Sequence, residues 1–199
     1  RAVGIPEPEK RYYNYPHQLS GGLRQRVMIG MAMVCRPKVM IADEPTTALD
    51  VTIEAQILRL MKKLCEDQGT SIILITHNMG VVAEVCDYVY VMYAGKVMEQ
   101  AETFELFDHT SHPYTKGLLN SIPKLDEKAK RLHTIEGVVP NLLHLPQGCS
   151  FCTRCSKSKE RCFAERPDLY TVGEGHKVRC FQYEEEKLVR GQEKMPHSS

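Results

Sequence analysis

Four consecutive apolar residues, Val39-Met40-Ile41-Ala42, end abruptly in two carboxylates, Asp43 and Glu44. A short run without polar alternation predicts a strand buried on both faces of a parallel sheet. Open α/β sheets place their ligands at the carboxyl ends of such strands, so two acids there mean more than a solvated strand terminus. One can hold Mg²⁺ directly or through water, and the other can orient or deprotonate an attacking water.

The neighbouring segments keep a matching rhythm. Apolar residues dominate from Ser20 to about Arg36 and Pro37 stops the run, which predicts a helix with Gly21 and Gly22 at its start. Ile53, Ile57, Leu60 and Leu64 recur at helical spacing up to Gly69. A second buried strand, Ser71 to Thr76, runs into His77; a short helix spans Val81 to Cys86, and a third strand Tyr88 to Tyr93. Ala94-Gly95 then turns the chain into Val97-Met98-Glu99. Strands alternating with helices predict βαβ units and a parallel α/β sheet. After about Phe107 the rhythm changes: His112-Pro113-Tyr114 opens one short helix, Lys124 to Arg131 reads as a charged linker, and the rest is rich in Pro, Cys and Gly. The division falls near Asp108, giving segments 1–107 and 108–199.

Composition narrows the function classes. An apolar share of 42% and a charged share of 26% are those of a globular chain. A net charge of +1 supports neither a nucleic-acid footprint nor a polybasic membrane patch. Apolar strings such as Ile72-Ile73-Leu74-Ile75 are too short to span a bilayer, and no signal-peptide pattern opens the chain. The first residue is Arg1, so the expectation is a sequence that begins inside a longer gene product.

Leu19-Ser20-Gly21-Gly22 opens a helix, and free N–H groups at a helix N-terminus suit phosphate. His77 ends its strand as Glu44 follows the other, where an imidazole can bond a phosphate oxygen or fix a water. Singly these are weak signals, equally at home in a Ser-capped helix and a structural histidine. In order they read LSGG, helix, apolar strand, Asp43-Glu44-Pro45, Ala48-Leu49-Asp50, helix, apolar strand, His77. This resembles the ABC-transporter nucleotide-binding domain over roughly Tyr15 to Val97, with signature, Walker B, D-loop and H-loop in sequence. The resemblance implies that Ser20, Gly21 and Gly22 contact the γ-phosphate of ATP held by an opposite subunit. It implies Asp43 as support for Mg²⁺, Glu44 as catalytic base, Asp50 as the D-loop acid and His77 as the switch histidine. Leu23 departs from the glutamine common at the fifth signature position. No window fits the G-x-x-x-x-G-K-[ST] phosphate loop, so this chain by itself is expected to be inactive.

The stretches SGGLRQRVMIGMAMVCRPKVMIADEPTTALDVT, VMYAGKVMEQ, HPYTKGLLNSIPKLD and PNLLHLPQGCSFCTRC are very similar to ATP-binding subunits of oligopeptide and dipeptide importers. That family implies a second ABC ATPase subunit, two transmembrane permease subunits and an extracytoplasmic substrate-binding protein as partners, with no nucleic acid. It implies a peripheral position on the cytoplasmic face of the cell membrane. Nickel and glutathione importers share nearly all these motifs. A DNA-acting ABC ATPase and an iron–sulfur redox module with a relict ATPase domain are the rivals from other classes.

Of eight cysteines, Cys149, Cys152, Cys155, Cys162 and Cys180 crowd the last quarter, while Cys35, Cys65 and Cys86 read as core thiols. Clustered thiolates suit an iron–sulfur cluster or Zn²⁺, and spacing alone would choose Cys149, Cys152, Cys155 and one later cysteine. The family pattern C-x5-C-x6-C-x17-C implies instead a [4Fe-4S] cluster on Cys149, Cys155, Cys162 and Cys180, with Cys152 spare and zinc as the alternative.

Overall fold

A computed structural model describes residues 1–122 and 134–184, so the charged stretch Lys124 to Arg131 lies outside the described residues. The chain divides into two compact units, Arg1–Asn78 and Met79–Ser199.

The first unit contains α1 (Pro8–Arg11), α2 (Gly21–Met33), β1 (Val39–Asp43), α3 (Val51–Gln68) and β2 (Ser71–Ile75). Asp50 caps α3 by accepting from the Ile53 N–H at 3.0 Å, and Gly69 closes it at φ 65°, a backbone angle glycine adopts without penalty. β1 and β2 pair in parallel, from Val39 opposite Ser71 to Asp43 opposite Ile75. Ile29 and Met33 of α2, and Ile57, Met61, Leu64 and Cys65 of α3, bury Met40 and Ala42 on one face of this pair. The other face is bare: Val39 is 50% exposed, Ile41 67%, Ile73 52% and Ile75 48%. Of the two buried faces expected for these strands, the described residues cover one. Side chains alternate across a strand, and among the described residues helices cover one side only.

The second unit contains α4 (Met79–Val85), β3 (Tyr88–Tyr93), β4 (Lys96–Glu102), α5 (Thr103–Asp108), α6 (Pro113–Asn120), α7 (Glu160–Ala164), β5 (Tyr170–Thr171) and β6 (Lys177–Val178). Its sheet is antiparallel in the order β3-β4-β6-β5. The third strand thus leaves the expected parallel sheet. Ala94 and Gly95 both take positive φ, 46° and 74°, the turn that folds β3 back on β4 as a hairpin. The cysteine-rich segment is also less irregular than its composition suggests, since it contributes β5 and β6. Val82, Val89, Val91, Ala101 and Leu106 form one core cluster. Tyr93, Met98 and Phe151 form another, in which Tyr93 meets Tyr114 at 4.8 Å and Phe151 at 5.2 Å between ring centroids.

Within that unit Glu99 is wholly buried, yet its carboxylate is fully engaged. Oε1 accepts from the Ser111 N–H at 2.6 Å and Oε2 from the His112 N–H at 3.1 Å. His176, 1% exposed, reaches Glu99 Oε1 through Nε2 at 2.9 Å and Glu105 Oε1 through Nδ1 at 3.0 Å. One carboxylate thereby ties β4, the start of α6, α5 and the β5–β6 turn. Glu99→Ala should cost about 3–5 kcal/mol in urea unfolding, because it strands a buried imidazole and two backbone donors.

His112 adds a pH dependence. It caps α6, with Nδ1 accepting from the Tyr114 N–H at 3.0 Å, and burial pushes its pKa from 6.5 down to about 4. The neutral ring is the stabilising form, so its contribution is complete above about pH 6.5 and is lost as pH falls toward about 4. At 1.36 kcal/mol per pH unit this amounts to on the order of 3 kcal/mol. His112→Asn keeps a capping acceptor without titrating; its stability should decline less than the wild type's between these pH values.

Candidate functional site

The sequence-predicted catalytic pair meets. β1 and β2 run in parallel and in register, so the residues just past their ends arrive at one edge. There His77 Nδ1 stands 2.9 Å from Glu44 Oε1, and the Thr47 hydroxyl donates to Glu44 Oε2 at 2.9 Å. The Glu44 N–H donates to Ile75 O at 2.9 Å, extending the ladder one step beyond the strand. The bond from His77, then that from Thr47, holds the Glu44 carboxyl below its ordinary range. An ionised Glu44 requires Nδ1 of His77 to be the donor, which leaves Nε2 of this exposed ring facing outward chemistry. Glu44 and Ala48 adopt positive φ, 42° and 64°, unusual for residues with side chains and commonest where function dictates geometry. Asp43 ends β1 opposite Ile75.

Sequence reasoning missed Thr47. An unremarkable threonine in a turn carries no signal until the fold brings its hydroxyl to the acid.

The signature residues sit at the start of α2. The Ser20 hydroxyl accepts from the Leu23 N–H at 3.4 Å, so Ser20 is the helix cap and Leu23 supplies the capped amide. A Cβ on Gly22 would lie 2.9 Å from Ile53 Cγ2, and one on Gly21 would lie 3.3 Å from Leu49 Cδ2. The two glycines therefore let the α2 terminus press onto the loop and helix that carry Asp50. Gly22→Ala should lower stability by about 1–3 kcal/mol through overpacking. Ile53→Ala removes the clashing methyl, so a double-mutant cycle on thermal unfolding should show the Gly22→Ala penalty largely gone in that background.

A second constellation lies in the other unit. Cys149, Cys152, Cys155, Cys162 and Cys180 line one cavity with His112, Phe151 and Phe181. Gly148 makes this possible: a Cβ there would stand 2.2 Å from Cys162 O, and the Cys149 N–H donates to that same oxygen at 2.8 Å. Arginines precede three of the cysteines and anchor them. Arg154 donates to Ile135 O and Glu136 O, Arg179 to Val97 O and Pro167 O, and Arg161 pairs with Glu184 while stacking 4.1 Å above Phe181. This Arg-Cys recurrence is legible in the sequence. The Lys159 N–H donates to Cys162 Sγ at 3.4 Å. Burial, reinforced by neighbouring thiols, pushes Cys149 up to about 11 and raises Cys152, Cys155 and Cys180. Among the described residues, no three His, Cys, Asp or Glu side chains form a group that could hold a metal ion. Of the remaining thiols Cys65 is buried and Cys86 half-buried, but Cys35 is exposed just past α2, so its reading as a core thiol is corrected.

Comparison with known proteins bears on both constellations. A family model described as ABC transporter matches residues 1–47, and one described as oligopeptide/dipeptide transporter, C-terminal region, matches residues 98–162. The oligopeptide transport ATP-binding protein AppD of Bacillus subtilis (strain 168) is 54% identical over 184 residues, covering 92% of this chain and 56% of that protein. The chain is therefore similar to ATP-binding proteins of oligopeptide ABC transport and contains part of an ABC domain. OppD of Haemophilus influenzae is 53% identical, covering 90% of the chain and 55% of that protein. OppD of Salmonella typhimurium is 51% identical, covering 94% and 56%. The chain thus spans about half the length of the curated relatives it matches. Its α/β first unit is part of an ABC cassette. Among the described residues, no helix is long and apolar enough to cross a membrane.

Proposed function

We propose that the chain is the portion of an ATP-hydrolysing subunit that carries the signature, Walker B, D-loop and H-loop, and that this subunit powers ABC-type peptide import. The observation that carries the reading is the Glu44–His77 bond at 2.9 Å on the carboxyl edge of a parallel strand pair. In this reading Glu44 accepts a proton from the attacking water, His77 positions that water and the γ-phosphate, and Asp43 supports Mg²⁺. Ser20, Gly21 and Gly22 face ATP held by a second ATPase subunit, and Asp50 communicates between the two. Glu44 is ionised at neutral pH, the form that can accept a proton. The bare face of Val39, Ile41, Ile73 and Ile75 fits an apolar sheet that the rest of a cassette would cover. Two permease subunits and an external binding protein complete the assembly, with this subunit peripheral on the cytoplasmic membrane face. The division of labour at 1–107 and 108–199 belongs to the same reading.

Two measurements test the hydrolytic part. Calorimetry of this chain with Mg-ATP should show no micromolar binding, since no phosphate loop is present to cradle the nucleotide. In the longer subunit, Glu44→Gln should retain nucleotide binding while hydrolysis falls about 10²–10⁴-fold; a kcat near wild type would remove Glu44 from the role of base.

The cysteine cavity we read as the seat of a [4Fe-4S] cluster on Cys149, Cys155, Cys162 and Cys180. Four cysteine sulfurs gathered around one cavity are soft ligands of the kind that such a cluster takes. When bound, the cluster would supply folding energy that this loop-rich segment otherwise lacks. Anaerobically purified protein should contain iron and acid-labile sulfide in near-equal amounts, whereas stoichiometric zinc without sulfide would overturn the assignment.

A further inference from the structure

A second cavity in the same unit, of about 120 Å³, is walled by cations. Lys96 begins β4, Arg166 lies between α7 and β5, and Arg179 follows β6; Met98, Ser150 and Pro167 complete most of the wall. The lining contains no Asp or Glu, and among the described residues none of the three cations has an ion-pair partner. Like charges gathered around one cavity repel, and an anion between them relieves that cost.

The backbone holds these cations in place. Pairing of β3 with β4 skips from Val91 opposite Glu99 to Met92 opposite Val97, so Met98 is bulged. The bulge offers two successive carbonyls to one residue. The Arg179 N–H donates to Met98 O at 2.7 Å, and its Nε donates to Val97 O at 2.9 Å. Arg179 Nη1 donates to Pro167 O at 3.0 Å, and Arg166 Nε to Gln147 O at 2.9 Å. Among the described residues, Arg179 Nη2 and both terminal nitrogens of Arg166 have no hydrogen-bond acceptor. Ser150, 9% exposed, adds a hydroxyl without a hydrogen-bond partner among the described residues.

We propose that this cavity binds a phosphoryl group, or sulfate of the same shape, through Arg166, Arg179, Lys96 and the Ser150 hydroxyl. Two anchored guanidinium forks, an ammonium and a hydroxyl together match a tetrahedral oxyanion with several acceptor oxygens. A carboxylate, with two oxygens and one charge, would leave donors unpaired. The volume has room for several waters, which such an anion would displace. The site depends on neither the ATPase reading nor the cluster. It is built from residues 96–179, whereas the residues read as facing ATP lie between Ser20 and His77.

The test titrates inorganic phosphate into the chain at constant ionic strength, held with sodium chloride, and follows amide and guanidinium magnetic resonances. Binding should saturate at one phosphate per chain with Kd on the order of 1 mM, with shifts centred on Lys96, Ser150, Arg166 and Arg179. Arg166 is exposed, so Arg166→Gln should fold as the wild type does and weaken binding about 10-fold or more. Arg166→Lys, which keeps the charge and loses the fork, should fall between the two. Arg179 stays intact because it also holds the bulge. Sulfate should compete at similar concentration and acetate only at a much higher one; equal competition by acetate would overturn the assigned class. Equal affinity in wild type and Arg166→Gln, or a linear response that chloride reproduces, would overturn the site. Sedimentation with phosphatidylcholine vesicles containing phosphatidic acid distinguishes the source of the group. Sedimentation lost in Arg166→Gln supports a lipid headgroup, and saturable phosphate binding without sedimentation supports a free phosphate. A chain that responds to neither overturns the proposal.

Discussion

The buried carboxylate of Glu99 is the constraint on which the second unit turns. It is wholly enclosed, so each of its oxygens must be bonded or the strand that carries it could not stay buried. The partners that satisfy it come from Ser111 and His112 at the head of α6 and from His176 between β5 and β6, with Glu105 of α5 on the far side of the imidazole. A Cys-rich segment with few apolar residues is thereby fastened to β4 by polar contacts whose geometry admits one arrangement. His112, set by the same carboxylate, in turn caps α6 and lines the cysteine cavity. Arg179, beside Cys180, grips Val97 O on β4 and so continues the fastening toward the thiols.

Close backbone approach does comparable work at both constellations. Gly22 admits Ile53 against the start of α2, and Gly148 admits the Cys162 carbonyl beside Cys149. In each case a missing side chain brings two chemically useful segments together. This is a packing reason for glycines that phosphate binding alone would also have explained. The two reasons are compatible, because a helix terminus held firmly against its neighbour presents its amides in a fixed direction.

Much of the first unit was legible in residue order. Helix and strand limits followed the apolar periods closely, since α2, β1, α3 and β2 fall where Pro37, Gly69 and the apolar runs place them. The hydrogen bond between Glu44 and His77 was foreseeable as a shared edge, because parallel strands end together. Its completion by Thr47 was not, because a hydroxyl in a turn has no period. The departure of β3 into an antiparallel sheet turned on Ala94 and Gly95, whose positive φ makes a hairpin where a crossover was expected.

The sequence by itself determined the order of motifs and the identity of the thiol and carboxylate groups, because these depend on local spacing and side-chain chemistry. It also showed the likeness to oligopeptide-transport ATP-binding proteins, through stretches that run almost end to end. Only the tertiary structure decided which strand face is bare, since burial depends on what packs from afar and not on hydropathy. It alone showed Glu99 bonded to His176 across 77 positions, as well as Cys152 sharing one cavity with Cys180. Such long-range pairings leave no periodic trace in a single sequence; they arise when folding brings a buried charge or a thiol to the one place where its partners are.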